Sequence, residues 1–536
     1  MYVEWRGIAS FKGAEKNNHV VQLIEDPDLA LLRLGLAANL EKSLAKKGNT
    51  APQLSPAEIL SLLESPFVFG MTASEGPQKS SPPESATPSV GIFVVCNAAG
   101  KSELVQKLEA LHKAQSKDTA NTKKYDFEGT QVEVETTGKN EAYTAQAGSY
   151  FIFSNHKHLM EDLITRFRGE AAPATSITHL QAYQDTRKYA DPDASVEFFA
   201  RNPDVNKMMP SDLKDTPTAH IVQNLHLERF HAAVGTFSFA GEAARSRGAI
   251  LGDTSAGGLF DVVGTSNATF QTLPVVSGAP IFSITRFNLA ALYKVIHGAI
   301  EGNLTPQQTA SLAMVEGMAQ NFLGMSVTDA LSLLSGEVAS TSSYSEDGSV
   351  EQLYAVTIEK PEDILRILRA TLASMIAAED SSGGNTFLDL SYPFKDPANG
   401  TQRRKFLYVG VTPHMVFIAP RKAMVKDAIT HMNGSAGSAP ASGILADAEF
   451  IKLRSALPEK LTALGVTDIR AIPWDKMLAN YFNQMQQAAQ QSKDFTPPDT
   501  SWLKLIKPEI VSRHLHMSVG GWWKDSNGVY FDSYVQ

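Results

Sequence analysis

The chain has 536 residues, of which 43% are hydrophobic and 20% charged, and 48 Lys and Arg stand against 57 Asp and Glu for a formal net charge of −9. That length exceeds a single core and fits two to four domains of ordinary globular composition. Acids and bases are interspersed, so nucleic acid is not an expected partner; the one cysteine, Cys96, permits no intrachain disulfide; and no stretch has the length and apolarity of a membrane span.

From the start, Tyr2-Val-Glu-Trp5 reads as a strand already under way, which points to a preceding segment such as an export signal or an anchor. A helix is expected near 28–46. A second follows Ser55, whose hydroxyl can accept an early free N–H, with Glu58 completing a capping box. Strands over 67–71 and 90–95 flank a Ser/Pro-rich loop, 73–89. Leu104, Val105 and Leu108 share one face of a helix from Ser102. Thr130 to Glu135 alternates, which predicts Val132 and Val134 inward and Glu133 and Glu135 outward. A strand from Tyr150 then leads into a helix from about Lys157.

The second half writes this programme again. Lys157, Asp162, Ile164, Thr165 and Gly169 recur as Lys422, Asp427, Ile429, Thr430 and Gly434. The Ser55 helix returns as a Ser326 helix with Asp329 in the acid's place, and Ile364, Leu365 and Leu368 repeat the next apolar face. Asp347-Gly348 supplies a tight turn where the first copy has its long loop. Tyr183 and Arg187 match Phe450 and Arg454, Lys207-Met-Met209 matches Lys476-Met-Leu478, and His231-Ala-Ala-Val-Gly235 matches His516-Met-Ser-Val-Gly520. The second copy opens with a strand over 281–285 and a helix over 288–300. The expected fold class is therefore α+β: two tandem pseudo-repeat modules, each a mainly antiparallel sheet with helices packed on one face. The expected division is 1–265, a linker over 266–280, and 281–536. What both copies share reads as packing; what one copy alone carries is the place to look for function.

No candidate site is complete. Asn97-Ala-Ala-Gly-Lys-Ser102 resembles the end of a phosphate loop, but Val95 stands where its first glycine belongs. His226 with Glu228, or His514 with His516, would share a strand face and could form half a metal site, and His231 is close by. The remaining ligands are not visible, and the duplication of His231 as His516 suggests packing. His156 and His158 read as a solvated turn, Cys96 as a buried inert thiol, and Glu133 with Glu135 as a solvated edge. Gly252-Asp-Thr-Ser-Ala-Gly-Gly258 misses nucleophile-elbow spacing, and no strand-then-helix context is expected around it. Ser43 with Lys46 and Ser154 with Lys157 match a Ser-x-x-Lys pattern short enough to arise by chance. The helix over 474–491 reads as a core helix, and Trp502, Trp522, Trp523, Tyr530 and Phe531 as filling of the last sheet. Catalytic and cofactor residues are expected to be none, with His226, Glu228 and His231 the only metal candidates.

Several segments carry a family likeness: Tyr2-Val-Glu-Trp5, Leu331-Ser-Leu-Leu-Ser-Gly-Glu-Val338 and Phe153-Ser-Asn-His-Lys157. In these the chain resembles a group of bacterial extracytoplasmic proteins classed as a domain of unknown function with a tandem α+β module. The resemblance implies an extracytoplasmic place, in the periplasm or cell envelope, and an anchor upstream, and it brings no catalytic residues. The expected function is a non-enzymatic binding or scaffold protein of the bacterial envelope, with an unknown protein or small molecule as partner. The alternatives are a hydrolase with its site between modules and a carrier of an apolar ligand.

Overall fold

The computed structural model describes residues 1–7, 16–29, 58, 61, 65–74, 89–101, 103, 106–107, 121–137, 140–169, 177–202, 225–239, 241–255, 257–264, 270, 273–301, 304–334, 336–395, 401–434, 443–491 and 507–536. The chain forms two compact units. The first comprises Met1–Lys214, Phe230–Leu251 and Asp499–Ile510, and the second Asp215–Arg229, Gly252–Pro498 and Val511–Gln536.

The first unit holds β1 (Tyr2–Trp5), β2 (Phe67–Ser74), β3 (Ser89–Asn97), β4 (Asn121–Phe127), β5 (Thr130–Thr137), β6 (Asn140–Ala147), β7 (Tyr150–Ser154), β8 (Val196–Arg201), β9 (Phe230–Ser238) and nearly all of β10 (Ala244–Gly252). Their order across the sheet is β10-β9-β8-β1-β2-β3-β7-β6-β5-β4. The second unit holds β11 (Ile281–Phe287), β12 (Gly336–Tyr344), β13 (Val350–Thr357), β14 (Ile376–Ser382), β15 (Asn385–Lys395), β16 (Gln402–Val411), β17 (Met415–Ala419), β18 (Ala463–Asp468), β19 (Met517–Lys524) and β20 (Gly528–Val535). Their order is β20-β19-β18-β11-β12-β13-β17-β16-β15-β14, antiparallel throughout. The α+β class holds.

The registers agree as well as the orders. In the first unit, residues opposite one another run Phe153, Val94, Phe69, Val3, Phe198, Gly235. In the second they run Ile418, Tyr354, Ser340, Ser283, Gly465, Gly520. Both walks begin at the segment where Lys157 matches Lys422 and end at the matched Gly235 and Gly520, without a slip of one residue.

Helices cover both faces of the second unit's sheet, not the single face expected. The Pro361–Leu372 helix packs Ile364, Leu365 and Leu368 against Leu388, Leu390, Val409 and Val411. The Lys422–Gly434 helix lies on the opposite face, where Val425 and Ile429 sit over Gly410. The alternation of β16 makes this possible, because Val409 and Gly410 necessarily face opposite ways. In the first unit Met160, Leu163 and Ile164 of the Lys157–Phe167 helix pack on Val132, Ala145 and Ile152. Val132 is buried as expected, but Glu135 on the other face is only 9% exposed. It lies on an inner strand between β4 and β6 rather than at a solvated edge.

Local chemistry accounts for the element ends. The Ser326 hydroxyl accepts the Asp329 N–H and donates to that residue's carboxylate, a shorter relative of the capping box. The turn joining β12 to β13 is held by Asp347, whose carboxylate accepts from the Ser345 hydroxyl and the Ser349 N–H. Gly348 follows at φ 80°, where a side chain would be strained. Within the expected linker, Val275, Val276 and Ala279 are buried, and the Pro274 carbonyl accepts from Thr341 of β12. Among its described side chains, 474–481 and 483, the Trp474–Gln491 helix buries none, unlike a core helix, and Tyr481 is 51% exposed. An additional Pro306–Leu323 helix, capped by a Thr305–Gln308 box, exposes Met314, Val315, Met318 and Phe322. The helix expected near 28–46, Ser43, Lys46, Ser55, Trp502 and the Lys207-Met-Met209 segment lie outside the described residues, apart from 28–29.

Two outcomes follow. A Cβ on Gly410 would sit 2.5 Å from Val425 Cγ1, so Gly410→Ala should lower the unfolding free energy by about 1–3 kcal/mol in urea titrations, through overpacking. The hydrogen bonds at Asp347 lower its pKa from 3.8 to about 2. A depressed carboxylate contributes stability that is complete above its unfolded pKa and lost as pH falls through the folded one. Asp347→Asn should therefore flatten the acid limb of stability between those two values and leave its shape near neutrality unchanged, as read by melting temperature against pH.

Candidate functional site

A cleft of about 920 Å³ opens within the second unit, in the size range of small-molecule sites. The turn at His226, the Val327–Ser332 helix with Thr328 and Ser332, and Gly336 at the start of β12 line part of it, and four further elements supply its charged and apolar walls. The short Leu259–Val262 helix brings Asp261 and, just after it, Val263; the end of β11 brings Arg286 and Phe287; the Leu289–Glu301 helix brings Ala290, Ala291 and Lys294; and the end of β19 brings Lys524. Asn288 starts the helix, its side chain accepting the Ala291 N–H while its own N–H binds the Val262 carbonyl. The first helical turn therefore stands against the wall formed by Val262 and Val263.

Among the described lining residues, the cations Arg286, Lys294 and Lys524 face one carboxylate, Asp261. Arg286 is fixed in place. It donates to the Leu461 carbonyl at 2.6 Å, pairs with Glu337 at 2.9 Å and stacks 4.4 Å from the Phe270 ring centre. Lys524 donates to the carbonyls of Phe260 and Val263. Burial pushes its pKa down, and the charge of Asp261 partly opposes that shift. Lys294 is exposed on the helix surface. Phe287, Val263, Ala290 and Ala291 supply apolar walls, so the cleft can take a molecule with a charged end and an apolar body.

The matched strands of the first unit carry different residues at the positions that line the cleft in the second. Carrying the matched strands onward from Gly235 and Gly520 sets Lys524 at the position of Phe239. Asn18 caps the His19–Glu25 helix as Asn288 caps its own; counted from these caps, Ala290, Ala291 and Lys294 take the positions of Val20, Val21 and Ile24. In the first unit Val21, Phe239 and Ala244 form a buried apolar cluster with the partly buried Trp5, Val20 and Phe237 packed on it. The shared arginine does the same backbone work in both: Arg6 N–H donates to Ser195 and Arg286 N–H to Thr462. Counted in this way, valines stand in the first unit where the second has alanines, and a phenylalanine stands where it has a lysine.

The residues singled out by sequence fare differently. His226 lines the cleft and its Nδ1 lies 3.1 Å from Glu228 Oε1. The pair does not meet on a strand face as expected: His226 sits in a turn at φ 53° and Glu228 in a 3₁₀ turn, Leu227–Arg229. His231 is exposed at the start of β9 in the first unit. His514 ends a helix, and His516 pairs with Glu449 at 3.1 Å. Among the described residues no three His, Cys, Asp or Glu side chains stand together to hold a metal. Cys96 is half-buried, its thiol pKa raised by burial. Asn97 accepts the Ala99 N–H and Lys101 donates to the Ser61 carbonyl, a turn rather than a phosphate cradle. Ser154 is buried and donates to the His156 carbonyl, while Lys157 pairs with Glu161 at 3.6 Å, as does His158 at 3.7 Å. Around Gly252 the strand-then-helix context is present after all, since β10 leads through a turn to the Leu259–Val262 helix. Ser255 there donates to Asp253 at 2.6 Å. Trp522 packs on Phe531 and Trp523 on Tyr530 across β19 and β20.

Arg286, Lys294, Lys524 and Asp261 were not found from sequence, because they come from four separate places in the chain. Extending the His231–His516 match to the end of its strand would have set Lys524 against Phe239. No known protein family, curated protein or solved structure matches the chain.

The side chains of Arg286 and Glu337 are 14% and 11% exposed. Glu337→Ala leaves a buried guanidinium without its carboxylate and should cost about 3–5 kcal/mol, whereas the joint replacement Arg286→Met with Glu337→Leu should recover most of that loss. Chemical denaturation of the three variants measures both quantities.

Proposed function

We propose that this chain is a non-enzymatic binding protein of the bacterial envelope, built from two diverged copies of one α+β module, which holds a small organic anion in the second unit's cleft. The duplication rests on matched strand registers that begin and end at residues matched independently in sequence. The envelope location rests on the resemblance carried by Tyr2-Val-Glu-Trp5 and the segments around Phe153 and Leu331.

The observation that carries the binding reading is the contrast at one place in the two copies. A core that needs only to be packed is served by Val20, Val21 and Phe239. Substituting two alanines and a lysine at the equivalent positions gives up apolar burial, roughly 0.8 kcal/mol for each methylene-sized group. Such a loss is kept where the space is used. Arg286 is balanced by Glu337 and Lys524 has Asp261 near it, so Lys294 brings the cleft's additional positive charge, and with the apolar walls it fits a carboxylate or phosphate on an apolar body. Lys294 supplies the exposed charge, while Arg286 and Lys524, held by their own partners, keep the wall positive and in place.

Isothermal titration with decanoate as probe, and mass spectrometry of anions released from gently purified protein, test this reading. Ala291→Val, which copies the first unit, and Lys294→Glu should each weaken binding about tenfold or more, equivalent to about 1.4 kcal/mol, without lowering the melting temperature. Binding unaffected by both substitutions would remove the cleft from consideration, and turnover of the bound anion would contradict a non-enzymatic role.

A further inference from the structure

The second unit carries an arm that the first lacks. β14 pairs with β15 only as far as Leu390, and β17 pairs with β16 only from Tyr408. At the next rung, Ser391–Phe406, the Ser391 N–H still donates to the Met375 carbonyl; beyond it the described residues of β15 and β16 pair as a two-stranded ribbon, with rungs Tyr392–Lys405, Pro393–Arg404, Phe394–Arg403 and Lys395–Gln402. In the first unit the corresponding hairpin closes at Thr137–Asn140. Because Tyr143 matches Tyr408 through Ser154 and Ala419, that closing rung answers Tyr392–Lys405. The outer rungs have no counterpart.

The ribbon's composition is unusual for a chain of net charge −9. Lys395, Arg403, Arg404 and Lys405 are all exposed. Between them stand three aromatic rings: Phe406 is 53% exposed, and Tyr392 and Phe394 are half-buried. Lys405 Nζ rests 3.8 Å from the centre of the Phe394 ring. Strand alternation puts Tyr392, Phe394, Arg403 and Lys405 on one face and Arg404 with Phe406 on the other, so each face presents rings and cations together. That face of Tyr392 and Phe394 continues the apolar side of Leu388 and Leu390, which the Pro361–Leu372 helix covers further in. An apolar strip thus runs out of the core into solvent and acquires positive charge where its cover ends. A two-stranded ribbon is marginal in water on its own and gains from a surface to lie against.

We propose that this arm docks the protein on an anionic lipid bilayer. At such a surface both halves of the pattern gain: cations sit at the lipid phosphates, and rings enter the boundary between headgroups and acyl chains. A soluble polyanion would engage the cations and leave the rings without work. The inference is independent of the cleft and its ligand.

The test is flotation of the full chain with vesicles of phosphatidylglycerol and phosphatidylcholine, beside vesicles of phosphatidylcholine alone and a heparin column. The wild type should float with the anionic vesicles only, and less as salt rises. Reversing Arg404 and Lys405 to Glu should weaken vesicle binding by about tenfold or more, since each cation near a charged bilayer contributes separately. Phe394→Ser with Phe406→Ser should weaken vesicle binding severalfold and leave heparin retention unchanged. The arm projects from the sheet, so these variants should keep the wild-type melting temperature. Independently of them, Phe406→Trp should show blue-shifted emission and quenching by brominated lipid on anionic vesicles. Vesicle binding equal in wild type and charge-reversed protein would overturn the proposal. So would heparin retention with no vesicle binding, which would assign the arm to a soluble polyanion, or a Phe406→Trp signal indifferent to the vesicles.

Discussion

In a ten-strand antiparallel ladder each strand takes its register from its neighbours, and every other feature of a unit inherits that choice. Side chains alternate with period two, so a slip of one residue at any rung would exchange the two faces of every strand beyond it. Close approaches hold the register. Phe93 stands opposite Gly70, and its ring occupies the space where a Cβ on that glycine would lie. A slip would bring the ring onto Phe69 or Met71, where no such slot exists. Gly410 does the same for the Lys422–Gly434 helix, giving Val425 a seat on β16. At the first unit's equivalent, Ala145 carries a methyl and the helix supplies the more adaptable Met160.

With the ladder fixed, the space between strands and helices can be filled in chemically different ways. In the first unit Glu197, 2% exposed, accepts hydrogen bonds from Tyr2 at 2.5 Å and Tyr183 at 3.1 Å and pairs with Arg187 at 2.8 Å. Burial and the bond to Glu197 drive the Tyr2 pKa far up, so the phenol stays a donor. The matching positions in the second unit are Phe282, Phe450 and Leu464, all buried. Arg454, deprived of a carboxylate, turns to the carbonyls of Leu457, Pro458 and Glu459. A complete buried ion-pair network and a well-packed apolar cluster of similar volume are close in free energy. This explains how one framework holds both, and why removing a single member of the polar version would be far costlier than exchanging the whole.

Much of the framework was legible in the sequence because the two halves share local patterns and, in the structure, the same strand order. The serine cap at Ser326, the Asp347-Gly348 turn, the hairpin of β2 and β3 and the shared strand-to-helix segments all depend on local chemistry or on a match between halves. The Pro306–Leu323 helix was missed although Thr305 and Gln308 form a capping box. Its apolar residues lie all round, so no stripe marks a buried face. The second helical layer was missed for a different reason, since Gly410 reads as a weak strand residue until Val425 is placed above it. Pairing the histidines by strand alternation failed because His226 lies in a turn with positive φ. The ribbon beyond Leu390 and Tyr408 escaped notice because its charge comes from two stretches joined only by pairing. The cleft was the least legible feature, because its lining comes from segments far apart in the chain.

Opening that cleft has a structural consequence that the second unit meets locally. Without Phe239 and Val21 at the matching positions, the wall at the end of β19 loses apolar contacts, and a lysine there must be desolvated. The Lys524 ammonium is satisfied by the carbonyls of Phe260 and Val263, with Asp261 near enough to offset part of its burial. Those residues belong to the segment leading into β11. Val263 bridges to Phe287, and the Gly264 N–H donates to the Arg286 carbonyl. A Cβ on Gly264 would collide with Arg286, so the segment lies as close to the strand as backbone allows. The segment that closes one side of the cleft is therefore also what allows a charged side chain to line it. The opening and the wall that supports it form a single arrangement, and a change to either one alters the energy of the other.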